Sequence, residues 1–129
     1  MSPEVRLSSD EAVDLVNKWK NEDRVIHLSI MAGSVFAKSL GRIDAVAPDK
    51  LLFSAAKSTN PLGKYYLAEI PLSGGEFEYL DAKDAAEPQR SRRKGYEALL
   101  HIRFRDAVGK LQIAIGFAVV PPFDEWVKL

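Results

Sequence analysis

The chain contains no cysteine. Disulfide scaffolds, zinc ribbons and thiol nucleophiles are therefore excluded, and a reducing cytoplasm fits. Histidine is nearly as scarce, with only His27 and His101. A catalytic zinc usually takes three protein ligands, and the spacing of these two sets up no ligand pattern, so neither a metal nor another cofactor is expected. Charge of one sign is missing too: 18 Lys and Arg balance 18 Asp and Glu. A zero balance argues against a general polyanion binder and leaves local patches open. No apolar run approaches the roughly 20 residues that span a bilayer. The longest, residues 113–122, is interrupted by Gly116. The first six residues hold no basic segment leading into an apolar run, so no signal peptide is expected. These absences predict a cytoplasmic protein without a membrane partner.

Local catalytic signatures are absent as well. There is no G-x-S-x-G and no G-x-G-x-x-G. Lys57-Ser58 echoes the end of a phosphate loop, but the preceding residues 52–56 lack the glycines that let backbone amides cradle a phosphate. Glu76 and Glu78 fall on one face of one strand, whereas glycosidase carboxylates face each other across a cleft. No catalytic residue is assigned.

What is present is an order of parts. The 129 residues, 47% apolar and 28% charged, suit one soluble domain with a single core. Residues 1–7 read as a short arm. Ser8 and Glu11 form an S-x-x-E capping box, and Ala12, Val13, Leu15, Val16 and Trp19 make an apolar stripe at helical spacing, predicting a helix over 8–22. Trp19 is expected to anchor that helix on the core.

Period-two alternation then takes over. Ile26, Leu28 and Ile30 alternate with polar positions, which puts His27 and, on a later strand, His101 on the outward face. Residues 35–46 alternate more weakly around Gly41, where a bulge or sharp bend is expected. Residues 51–53 form a short strand and 57–63 a loop. Tyr66, Ala68, Ile70 and Leu72 lead to a hairpin turn at Ser73-Gly74-Gly75, then Phe77 and Tyr79 share a face. Residues 81–95 read as a long polar loop. Ala98, Leu100, Ile102 and Phe104 form an inward face, and after a hairpin at 106–109 the returning strand presents Leu111, Ile113, Ile115 and Phe117. Pro121-Pro122 ends the sheet, leaving a tail over 121–129 that carries Phe123 and Trp126. Short strands with turns between them predict a mainly β fold, a small bent antiparallel barrel or a sandwich over 24–120, with one N-terminal α-helix.

Charge is unevenly placed. Residues 69–87 hold six acids and one base, and residues 88–105 hold six bases and one acid. Arg90, Arg92, Arg93, Lys94, Arg103 and Arg105 are the candidate contacts for an anion such as RNA phosphate, with Tyr96 placed to stack. The competing reading is internal balance, with Glu76 and Glu78 opposite Arg103 and Arg105 on neighbouring strands.

The helix, then residues 25–30, then a bent strand containing Gly41-Arg42-Ile43, resembles the opening of an Sm-like (SH3-type barrel) domain over residues 8–56. Gly41, Ile43, Val46 and Leu51-Leu52-Phe53 follow the hydrophobic part of that family's first motif. Ala47 stands where its Asp is expected, and no Asn follows. Ile115-Gly116 is similar to the second motif without its basic residue. The resemblance implies a helix on a five-stranded barrel, ring assembly and RNA binding. The departures fall on RNA-contacting positions, so no binding residue is carried over. The resulting expectation is a non-catalytic binding or assembly module that self-associates as a homo-oligomer. The alternatives are an RNA- or anion-binding protein using the basic loop, and a small-ligand protein or enzyme with a pocket at the barrel mouth near Tyr65, Tyr66 and Trp126.

Overall fold

The computed structural model describes residues 5–55, 66–81 and 96–120. These form β1 (Val5–Leu7), α1 (Ser9–Asn21), β2 (Val25–Ala32), β3 (Val35–Val46), β4 (Lys50–Ala55), β5 (Tyr66–Pro71), β6 (Glu76–Asp81), β7 (Ala98–Arg105) and β8 (Leu111–Val119). The capping box closes as the sequence implies. The Ser8 hydroxyl accepts from the Glu11 amide at 3.2 Å, and the Glu11 carboxylate accepts from the Ser8 amide at 3.0 Å. Ala12, Val16 and Trp19 lie on successive turns of α1 and are all buried, so Trp19 is the anchor its spacing predicts. Asp23 then takes a positive φ of 52°, a conformation Asp tolerates, and turns the chain into β2.

All eight strands join one antiparallel sheet in the order β1-β6-β7-β8-β2-β3-β4-β5. Its curvature follows from chain length. β5 forms one border and β6 lies next to the other, six strand spacings away. In a flat sheet that separation would be about 29 Å. The connection from Pro71 to Glu76 can reach about 18 Å at most. The sheet must therefore curl until its borders approach. It stays open, because among the described residues β1 and β5 form no ladder with each other. The structure is thus mainly β with one N-terminal helix, an unclosed curl rather than a sealed barrel.

The concave face holds the core. Ile26, Leu28, Phe53, Phe77, Leu100, Ile102 and Phe117 meet there, and α1 packs on β3 and touches β1, bringing its buried stripe into the same cluster.

Four details differ from the sequence reading. Part of the expected arm is strand β1, whose Arg6 stands opposite Glu78 of β6; three residues are too few to show alternation. Ser73-Gly74-Gly75 does not join a hairpin, since β5 pairs with β4 and β6 pairs with β1 and β7. The irregularity in β3 falls between Ile43 and Ala45 rather than at Gly41. Gly41 instead permits a close approach: a Cβ there would lie 1.9 Å from the Ser54 carbonyl oxygen. Finally, a register shift at Phe104/Arg105 pairs Leu111 with Arg105. That takes Leu111 out of the inward stripe of Ile115 and Phe117. The hairpin at 106–109 forms as expected, closed by the Gly109 amide donating to the Asp106 carbonyl and by the Asp106 amide donating to Lys110.

Candidate functional site

The convex face of the sheet carries the polar side chains. Strand register fixes which of them meet. Glu76 stands opposite Arg103, and Glu78 opposite His101. The ion pairs run diagonally across these positions: Arg103 to Glu78 at 2.8 Å and Arg105 to Glu76 at 2.7 Å. Arg6 of β1 adds a third partner, reaching Glu76 at 3.0 Å. Lys50 and Glu69 pair similarly at 2.8 Å between β4 and β5. Two of the six candidate anion contacts, Arg103 and Arg105, are therefore engaged with carboxylates. Arg90, Arg92, Arg93 and Lys94 lie outside the described residues, as do the loops over 57–63 and 82–95 and the tail over 121–129.

The histidines are half-buried rather than open to solvent. His27 Nδ1 and the Tyr96 hydroxyl share a hydrogen bond of 2.7 Å, and their rings sit 5.9 Å apart. Tyr96 is thus held against β2 instead of standing free to stack. Beside this pair is a shallow depression of about 370 Å³ bounded by Lys38, Leu40 and Val120. Arg24 ties the same end together by bonding the Glu97 carboxylate and the Val120 carbonyl.

His101 belongs to a different feature. On β8, Gly116 is flanked by Ser29 of β2 and His101 of β7 as its direct cross-strand partners. One pleat further along, Ala114 is flanked by Met31 and Arg103. Two small residues in a row between larger ones leave a hollow of about 280 Å³. Ser29, His101 and Arg103 bring polar groups to it; Met31, Phe36 and Leu111 bring apolar surface. Leu111 is available only because of the β7–β8 register shift. None of this is visible in the local sequence, since Gly116 acquires its neighbours only through the order of strands.

The free ends of the β2–β3 and β7–β8 hairpins are unusually apolar. Val35 is 65% exposed, Phe36 55% and Met31 47%, and Leu111 and Ile113 are exposed beside them. Ladder partners put Met31 and Phe36 beside Ala114 on one face of these ends, and Val35 and Ile113 beside Ala32 on the opposite face. Lys38 rests over the Phe36 ring at 5.2 Å.

Among the described residues, no group of three or more His, Asp or Glu side chains is arranged to hold a metal. No described helix is long and apolar enough to cross a membrane. Tyr65 and Trp126, and the side chain of Tyr66, fall outside the described residues, so the pocket expected near them does too. No protein-family model matches the chain, and no curated protein or solved structure is significantly similar to it.

Proposed function

We propose that this protein is a non-catalytic, cytoplasmic assembly module that binds a second copy of itself through the free ends of its β2–β3 and β7–β8 hairpins. One observation carries the reading: the exposed apolar residues gathered at these ends, Met31, Phe36 and Leu111 on one face of the sheet and Val35 and Ile113 on the other. Scattered surface hydrophobics need no explanation, whereas exposed apolar residues concentrated at one end of the sheet, on both of its faces, mark an interaction surface. A net charge of zero raises no long-range repulsion between copies. The two sheet borders, β1 and β5, give a second means of contact between chains. An Sm-like ring is one closed form such contacts can take. The alternative, RNA or another polyanion bound by Arg90, Arg92, Arg93, Lys94, Arg103 and Arg105, has weaker support, because Glu78 and Glu76 already offset the last two.

Size exclusion with light scattering, at low and moderate salt, tests the proposal. The native chain is expected as an oligomer whose mass rises with concentration, and a Val35→Asp/Ile113→Asp double variant as a monomer with an unchanged circular dichroism spectrum. A native chain that stays monomeric at every concentration overturns it.

A further inference from the structure

We propose that the hollow over Gly116 is a binding site for a small aromatic carboxylate. Its floor is Gly116 and Ala114, its polar wall is Ser29, His101 and Arg103, and its apolar wall is Met31, Phe36 and Leu111. At about 280 Å³ the hollow is just below the usual range of roughly 300–1,000 Å³ for ligand pockets. That size suits a single ring with a short acidic arm rather than a nucleotide.

The division of its walls decides the chemistry. A ligand that lies across the hollow must be apolar where it meets Phe36, Met31 and Leu111, and must offer acceptors where it meets Arg103. Glu78 contacts Arg103 through Nη1, and a guanidinium carries five N–H donors in a planar fork. Glu78 offsets the charge of Arg103, which disfavours a polyanion. The ion pair also orients the guanidinium and leaves further N–H donors for one small carboxylate whose ring is held by the apolar wall. The Arg103 side chain is 27% exposed, so the contact would be only partly screened by water. The Ser29 hydroxyl sits next to the floor and can donate to the same acid group.

Gly116 keeps the space open. A Cβ at this position would lie 2.8 Å from Ser29 Oγ, 3.4 Å from His101 Cδ2 and 3.8 Å from His101 Nε2. The closest of these atoms is a hydroxyl on a rotatable side chain. Gly116→Ala can thus be absorbed by a turn of Ser29, while its methyl group enters the hollow. This gives a variant that blocks the site and removes no charge.

The site overlaps the proposed association surface at Met31, Phe36 and Leu111 only; its floor and polar wall lie apart from it. The two proposals are separable by experiment. Phenylacetate is titrated into the full-length protein and followed by amide chemical shifts, with 2-phenylethanol and phenethylammonium as neutral and cationic controls. Saturable shifts are expected at Ser29, Ala114 and Gly116, strongest for the acid and weakest for the amine. Arg103→Gln should weaken phenylacetate binding about tenfold, the value of one charge-assisted hydrogen bond. Gly116→Ala should abolish it and leave the light-scattering mass unchanged. Val35→Asp/Ile113→Asp should change the mass and leave binding intact. Equal binding of all three probes, binding that survives Gly116→Ala, or no saturable shift at millimolar phenylacetate overturns the assignment. The association proposal fails on mass alone.

Discussion

Two glycines of β-hairpins show how differently the same residue type can be required. Gly41 sits inside β3 with a β4 backbone oxygen 1.9 Å from where a Cβ would stand. Backbone cannot rotate away as a side chain can. Gly41→Ala is therefore expected to cost about 3 kcal/mol, the upper part of the range for overpacking, read as a fall in the urea midpoint. Gly33 adopts a positive φ of 60° with open space around it. Gly33→Asn should change stability by less than about 1 kcal/mol, because Asn tolerates that conformation. The alternating pattern of residues 35–46 makes Gly41 conspicuous, but it does not reveal whether the cause is a bulge or a neighbour. That neighbour arrives on another strand, so only the register can show it. The same limit applies to the hollow over Gly116, whose walls come from β2, β3, β7 and β8, whereas the ion pairing of Glu76 and Glu78 with Arg103 and Arg105 is legible because β6 and β7 are strands of matching charge pattern.

Elements whose stability depends on local hydrogen bonds are the ones best read from sequence. The cap of α1 and the turn at 106–109 are both built around a carboxylate. The Ser8 amide, and then the Ser8 hydroxyl, hold the Glu11 carboxyl below its ordinary range. In the β7–β8 turn, the Lys110 amide lowers the Asp106 carboxyl most, assisted by the Val108 amide and the Gln112 side chain. Both pKa values are depressed in the folded state. Their stabilisation is therefore complete above the unfolded-state values of about 4, and it is lost as pH falls through the lowered folded values. In acid unfolding followed by circular dichroism, Asp106→Asn should show a shallower loss of stability below about pH 4 than the native chain. Ser8→Ala should lower stability by about 1 kcal/mol at neutral pH, the usual value of an N-cap. Helix α1, the strands with strict alternation and the 106–109 turn all carry such local signals. β1 has too few residues to do so, and the separation of β5 from β6 has no local correlate at all.

At the scale of the whole molecule, the order of strands sets both speed and shape. The ladder between β2 and β8 pairs Ile26 with Val119, and that between β1 and β6 pairs Arg6 with Glu78. Such distant partners must find each other before most of the core is buried. Folding is expected on the millisecond-to-second scale of non-local β topologies, and stopped-flow circular dichroism that finished within microseconds would contradict the topology. Shape depends on one short piece of chain. β5 and β6 share no rung, yet the stretch between Pro71 and Glu76 obliges the two borders to stay near each other. It works as a tether does in a bent spring. A protease that cut between Gly74 and Gly75 would sever no ladder hydrogen bond and detach no strand. It would free the borders to part, and the cradle around α1 could relax into a flatter leaf while every rung stayed intact.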